Sequence, residues 1–266
     1  MDLQLEHQHI LITGGSKGIG LACALGFLRE GARVSLISRD QGNLDQAKRA
    51  LVEQFGIDAS ARVALYEADL KLPSEAIEAL DAAETHFGPV DVLVNSAGAA
   101  KRTPPDLLDA MVWHEAMEAK YFTTIHMIDP VVKRMGLRGQ GAIVNVVGAG
   151  GKVASPVHMP GGAANAALML VSAGMAVAYA PRGVRVNAVN PGLTLTTRLQ
   201  EGLAVDAKAQ GIDMDEALKR ATARLPLGRI ATPEEIANAV VFLASSKASY
   251  ITGAILAMDG AVTPMV

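Results

Sequence analysis

The sequence predicts an α/β fold, a doubly wound parallel sheet of about seven strands with helices on both faces. Three observations carry this expectation. Short β-rich runs alternate with helically spaced segments along the whole chain. Several runs, such as Val90-Asp91-Val92-Leu93-Val94 and Ile143-Val144-Asn145-Val146-Val147, are almost continuously apolar, which suits strands covered on both faces. The first strand-to-helix junction reads Thr13-Gly14-Gly15-Ser16-Lys17-Gly18-Ile19-Gly20, the position where this architecture receives a nucleotide.

Taken in order, the expected strands are His9 to Thr13, Arg33 to Ser38, Arg62 to Glu67, Val90 to Asn95, Gly141 to Val147, Val184 to Asn190 and Ile255 to Met258. Pro181, Pro191 and Pro233 mark element ends, and no shift in composition announces a second domain, so residues 1–266 are read as one domain. The stretch 193–224 has no strand character. It holds two short helical segments, Gln200 to Lys208 and Met214 to Ala223, and follows a strand's carboxyl end, which places it as a lid over the ligand crevice.

Composition narrows the partners. With 50% hydrophobic residues, 19% charged residues and a net charge of −3, the chain can bury a large core and offers no basic face for nucleic acid. No uninterrupted apolar stretch suggests a bilayer span and the first residues are acidic rather than basic-then-apolar, so a cytoplasmic location without a membrane partner is expected. The one cysteine, Cys23, lies among Leu21, Ala22 and Ala24 and reads as an inert buried thiol. There is no Cys/His cluster, so no metal is expected.

The glycines at 14, 18 and 20 follow a strand and open a helix. The backbone can turn tightly there, approach a pyrophosphate and present the helix N-terminal N–H groups to it. An acid at the end of the second strand would grip the ribose 2′-OH of NAD, but the strand ends Leu36-Ile37-Ser38-Arg39. Ser38 leaves room for a 2′-phosphate, while Arg39 and Lys17 supply positive charge, so NADP(H) is preferred over NAD(H).

From about Leu5 to Gly260 the chain resembles the short-chain dehydrogenase/reductase family. The matching pieces are Thr13 to Gly20, Asp69-Leu70, Asn95-Ser96-Ala97-Gly98, Gly183 to Gly192, Pro233-Glu234-Glu235-Ile236-Ala237, Tyr250-Ile251-Thr252-Gly253 and Asp259-Gly260. The resemblance implies that Gly14, Ser16, Lys17, Gly18, Ile19 and Gly20 contact the cofactor phosphates and that Ser38 and Arg39 meet the adenosine ribose. It also implies that Asp69 and Leu70 border the adenine, that Asn95, Ala97 and Gly98 brace the central strand, and that Pro191, Gly192, Thr194 and Thr196 face the nicotinamide.

The resemblance breaks at the catalytic positions. Where most members carry Ser, Tyr and Lys, this chain has Gly148, Gly161 and Asn165, and Lys120 stands where an Asn is usual. Hydride transfer to a carbonyl leaves an alkoxide that needs a proton, which a Tyr beside a Lys ordinarily supplies. Two features offer a replacement. Lys and Asn have exchanged positions, and His158 precedes Asn165 by seven residues, the offset at which enoyl reductases of this superfamily place Tyr before Lys. Lys120, His158 and Asn165 are therefore the catalytic candidates, and Lys152 is a further one; His158 also fits as a loop residue capping a helix after Pro156. Tyr121, His114 and His126 read as packing or solvated residues.

The expected function is NADP(H)-dependent hydride transfer to or from a carbonyl, alcohol or activated C=C compound through a non-standard site. The alternative is a catalytically inactive NADP(H)-binding sensor or structural subunit. Met159, Met214 and the lid leucines 193, 195, 199 and 203 suggest a small, partly apolar substrate. A fifth helix, Ala163 to Ala180, apolar almost all round, suggests a homodimer or homotetramer.

Overall fold

The apolar alternation of the strands determines the layers. In the computed structural model, which describes residues 2–98 and 100–264, the strands are β1 (His9–Thr13), β2 (Arg33–Ser38), β3 (Val63–Glu67), β4 (Val92–Asn95), β5 (Gly141–Val146), β6 (Val184–Pro191) and β7 (Ile255–Met258). They form one seven-stranded sheet in the order β3-β2-β1-β4-β5-β6-β7, with every pairing parallel. On β4, Val92 and Val94 face a core shared with α1 (Gly18–Arg29), α2 (Gln41–Phe55) and α9 (Pro233–Ala244). Leu93 faces the opposite core, shared with α3 (Pro73–Phe87) and α5 (Thr123–Arg138). Burial on both faces is why this strand reads as a continuous apolar run.

The order reverses direction between β1 and β4, so the crevice beyond their carboxyl ends is the ligand position of this architecture. The strands differ from the sequence expectation only at their ends: the third and fourth begin at Val63 and Val92, the fifth ends at Val146, and the sixth runs on through Pro191.

The helix after β4 is not uniform. It comprises α4 (Ala110–Ala116), a π turn over Met117–Phe122, and α5. A π turn inserts a residue and displaces carbonyls from their usual partners. Two hydroxyls cover the displacement here: Thr123 Oγ1 donates to the Glu118 carbonyl at 2.9 Å and Thr124 Oγ1 to the Lys120 carbonyl at 3.1 Å. Lys120 sits within this widened turn.

The lid consists of α7 (Thr197–Gln210) and α8 (Met214–Ala223). The first begins earlier than expected because the Thr196 hydroxyl caps it, accepting from Leu199 N. Leu203 is buried with Ala207 and Ala217 in a small cluster of the lid's own, joined by Leu199. These two leucines therefore stabilise the lid and do not line a substrate surface, unlike Leu195, which is exposed.

One expectation is corrected. The helix α6 (Met159–Tyr179), with the turn to Arg182, is long and apolar enough by length and composition to cross a membrane. The sequence reading underrated it because glycines and Asn165 interrupt the run. In the fold it lies against the sheet, with Ala164, Asn165, Leu168, Ser172 and Ala176 buried, and Ser172 Oγ accepts a 2.9 Å hydrogen bond from Asn145 Nδ2 of β5.

Candidate active site

The glycine loop is held closed by contacts only glycine permits. A Cβ on Gly14 would lie 2.9 Å from the backbone of Ala97, and one on Gly20 would collide with the Gly14 carbonyl. Thr13 Oγ1 accepts from Ser96 N and Ala97 N, each at 3.2 Å, and locks the ends of β1 and β4 together. Gly18, at φ +52°, faces the Thr196 methyl across 3.3 Å from its missing Cβ, so the loop and the start of the lid form two sides of one cleft. The first turn of α1 carries no acidic residue, and Lys17 at its N-cap is exposed. These features fit an anionic pyrophosphate.

At the second strand, Ser16 Oγ donates to Ser38 Oγ at 3.1 Å. Arg39 is exposed beside them. The acid paired with Ser38 on β3, Glu67, is turned to the Gln41 backbone N–H at 3.2 Å. Asp69 is half-buried; its backbone N–H donates to Glu75 and its carboxylate accepts from Lys71 N. Leu70 is buried, and its carbonyl meets His126 Nδ1 at 2.9 Å, which makes His126 a packing residue as expected. Pro191 ends β6, and Gly192, Thr194 and Thr196 follow it where Leu195 N donates to the Ala231 carbonyl at 2.8 Å and anchors the lid.

A chain of buried amides runs behind the cleft. Asn95 Nδ2 donates to Asn145 Oδ1 at 2.8 Å, Asn145 Nδ2 donates to Ser172 Oγ, and Ser172 Oγ donates to the Leu168 carbonyl at 2.7 Å. Asn95 thus braces β5 and α6 as well as its own strand. Sequence reasoning missed Asn145 and Ser172, since a lone polar residue in an apolar run carries no local signal of its partner.

The structure brings the three catalytic candidates to one end of the cleft. Asn165 is 1% exposed, its Nδ2 stands 3.3 Å from where a Cβ on Gly148 would be, and its Oδ1 has no hydrogen-bond partner among the described residues. His158 is at the N-cap position of α6 but makes no capping bond. Its imidazole lies over Gly161 instead, with Nε2 2.6 Å from where a Cβ there would be, and its buried Nδ1 is likewise without a partner. Buried polar groups are normally paired, so two orphaned atoms at one site mark a place built for something polar. Lys152 caps the C-terminal end of the short helical turn Ala149–Gly151 that precedes this segment. Tyr121 packs against Val147, Leu168 and Ala188, and His114 is exposed.

Lys120 packs beside Gly98, whose missing Cβ would be 3.2 Å from the lysine Cα. The Gly98 carbonyl accepts a 2.8 Å hydrogen bond from Arg198 Nη1 on α7. Burial, and then the Arg198 charge, lower the Lys120 pKa to about 8. His158 is held below the usual histidine range by burial first, then by the charges of Lys120, Arg102 and Arg198. It is therefore neutral at neutral pH, where Lys120, with its pKa of about 8, is still protonated. Arg102 and Arg198 were not singled out in the sequence, because both lie in loop or lid segments without a motif. Cys23 is buried, and burial alone pushes its thiol up to about 12, which makes it inert.

Comparison with known proteins agrees with this geometry. Residues 14–263 match the family model described as enoyl-(acyl carrier protein) reductase. The chain is 37% identical over 264 residues to 2-(S)-hydroxypropyl-CoM dehydrogenase 3 of Xanthobacter autotrophicus, covering 99% of each chain. It is 35% identical over 262 residues to a probable short-chain type dehydrogenase/reductase of Bradyrhizobium diazoefficiens, covering 97% of this chain and 88% of the relative. The crystal structure of L-sorbose reductase from Gluconobacter frateurii, complexed with NADPH and L-sorbose, superposes with a TM-score of 0.91 at 31% identity over the whole of both chains. With its glycine-loop cleft at the sheet's reversal point and these relatives along its full length, the chain belongs to the short-chain dehydrogenase/reductase family.

Proposed function

We propose that the protein is an NADP(H)-dependent oxidoreductase that transfers a hydride to or from a carbonyl/alcohol or an activated C=C compound, with Lys120 as the relocated proton donor. The observation that carries this reading is the convergence of Lys120, His158 and Asn165 on one end of a cleft whose other end fits a dinucleotide. The NADPH complex of the related sorbose reductase supports the cofactor, as do Ser38, Arg39 and Lys17 at the adenosine corner.

When bound, the reduced nicotinamide supplies the hydride. The chain's own residues then have three tasks. Asn165, with a free Oδ1 and a neighbouring Nδ2, orients the substrate oxygen in place of a serine hydroxyl. Lys120 gives one proton from Nζ to that oxygen and is left as a neutral amine, which solvent reprotonates. Neutral His158 fills the wall over Gly161 and presents a ring nitrogen to the same oxygen or to Lys120. Leu195, Met159 and Met214, all exposed, supply the partly apolar surface.

The assembly we propose is a homodimer or homotetramer through α6. Its outer face carries Ala163, Ala166, Leu170, Gly174, Val177 and Ala178 exposed and without a charge. Light scattering of the wild type and of Leu170→Glu/Val177→Glu tests it: wild type above monomer mass and variant at monomer mass is the expected pair.

The functional reading is tested by fluorescence titration with NADPH and NADH, followed by NADPH oxidation with ketones, quinones and enones. Tighter binding of NADPH with turnover of a panel member supports it, and absence of binding by either cofactor overturns it.

A further inference from the structure

Four basic side chains from four separate segments meet at the substrate end of the cleft. Arg102 comes from the loop after β4, Lys120 from the π turn, His158 from the start of α6 and Arg198 from the first turn of α7. Their proximity is fixed by backbone contacts. Arg198 and Lys120 both converge on Gly98, the first by the 2.8 Å hydrogen bond to its carbonyl and the second by packing. Arg102 lies along the same face of α7 as Arg198, its Cζ 3.5 Å from where a Cβ on Gly202 would be, one helical turn on. Thr103 N donates to the Val157 carbonyl at 2.9 Å, which sets the Arg102 loop against the residue preceding His158.

Two carboxylates stand near these cations. Asp206 pairs with Arg102, and Glu201 lies near Arg198. With His158 neutral, the two arginines and the protonated Lys120 face two acids. Arg198 uses only Nη1 in a hydrogen bond among the described residues, so its fork retains donors. Like charges gathered this closely repel one another, and an anion seated among them would balance that repulsion.

We infer that the substrate carries an anionic group, a carboxylate, sulfonate or phosphate, which Arg198 and Arg102 bind from the lid side while its carbonyl or hydroxyl lies at Lys120 and Asn165. This rests on the proposed oxidoreductase reading for the position of the reacting oxygen. The planar arginine fork gives bidentate recognition of such oxyanions, and Arg198 carries its fork on α7, the first helix of the lid.

The test uses the NADPH-loaded full-length protein and a matched set of ketones: 5-oxohexanoate, 4-oxopentane-1-sulfonate and 4-oxopentyl phosphate, with methyl 5-oxohexanoate as the uncharged control. Calorimetry reads binding and NADPH oxidation reads turnover. At least one anion should bind about ten-fold or more tighter than the ester, and Arg198→Gln and Arg102→Gln should each remove most of that preference while leaving NADPH affinity intact. Which anion is favoured identifies the oxyanion class. Anion binding without turnover would uphold the anion site and count against the reductase reading. Equal binding and turnover of ester and acids would uphold the reductase and overturn the inference, as would an Arg198→Gln variant that loses NADPH instead of the anion.

Discussion

The imidazole of His158 occupies the space above Gly161 that a side chain at position 161 would need, with Nε2 2.6 Å from the missing Cβ. The glycine is thus the complement of the histidine three positions earlier, whose ring fills the space that a side chain at 161 would take. Gly161→Ala should push the ring away, since Ala100 Cβ, 2.8 Å from the same point, blocks the alternative side. We expect roughly a ten-fold loss of turnover with NADPH affinity unchanged, measured by steady-state kinetics beside a fluorescence titration. Wild-type rates in Gly161→Ala would remove His158 from the site.

Lys120 costs folding stability through the burial that lowers its pKa. Its folded-state pKa of about 8 lies below the 10.5 of an exposed lysine, so the unfolded chain binds more protons between those two values and stability rises with pH across that window. At neutral pH the full penalty is present, on the order of 1–3 kcal/mol after allowance for partial solvation. Lys120→Met should therefore raise Tm at pH 7 while abolishing most activity. A destabilised Lys120→Met protein at pH 7, read by calorimetry, would contradict the burial account.

The fold was legible because the central strands β1 and β4 are buried on both faces as apolar runs, and because Gly14 and Gly20 leave no room for a side chain while Gly18 holds a positive φ. Lys120, His158 and Asn165 were legible only as departures from a family pattern. The resemblance also implied that positions 120 and 165 lie close together, whereas the π turn at 117–122 that carries Lys120 is a local insertion that leaves no periodic trace. Arg198 and Arg102 were invisible for a related reason: an arginine in a lid looks solvated until the Gly98 carbonyl and the facing helix are placed around it.

The buried amide chain predicts a stability effect. Asn145→Ala leaves Asn95 Nδ2 without its acceptor and removes the donor to Ser172 Oγ. The expected loss is roughly 1–3 kcal/mol, a Tm lower by about 3–10 °C. Asn145→Ala unfolding at the wild-type temperature would mean that the amides are hydrated rather than paired.

Cofactor preference should reside at Ser38. An aspartate there meets the ribose 2′-OH and repels a 2′-phosphate. Ser38→Asp is expected to weaken NADPH binding by about 30-fold and to strengthen or leave unchanged NADH binding. Equal loss of both cofactors in the titration would point to a disrupted loop and not to charge selection.

The most direct test of the relocated proton donor is the pH dependence of kcat for carbonyl reduction in the wild type and Lys120→Met. Reduction needs the protonated amine, so the wild-type rate should hold at neutral pH and fall as pH rises through about 8. The variant should show a low residual rate without that break. A Lys120→Met protein that keeps both the rate and the break would contradict the account and place the proton on another group.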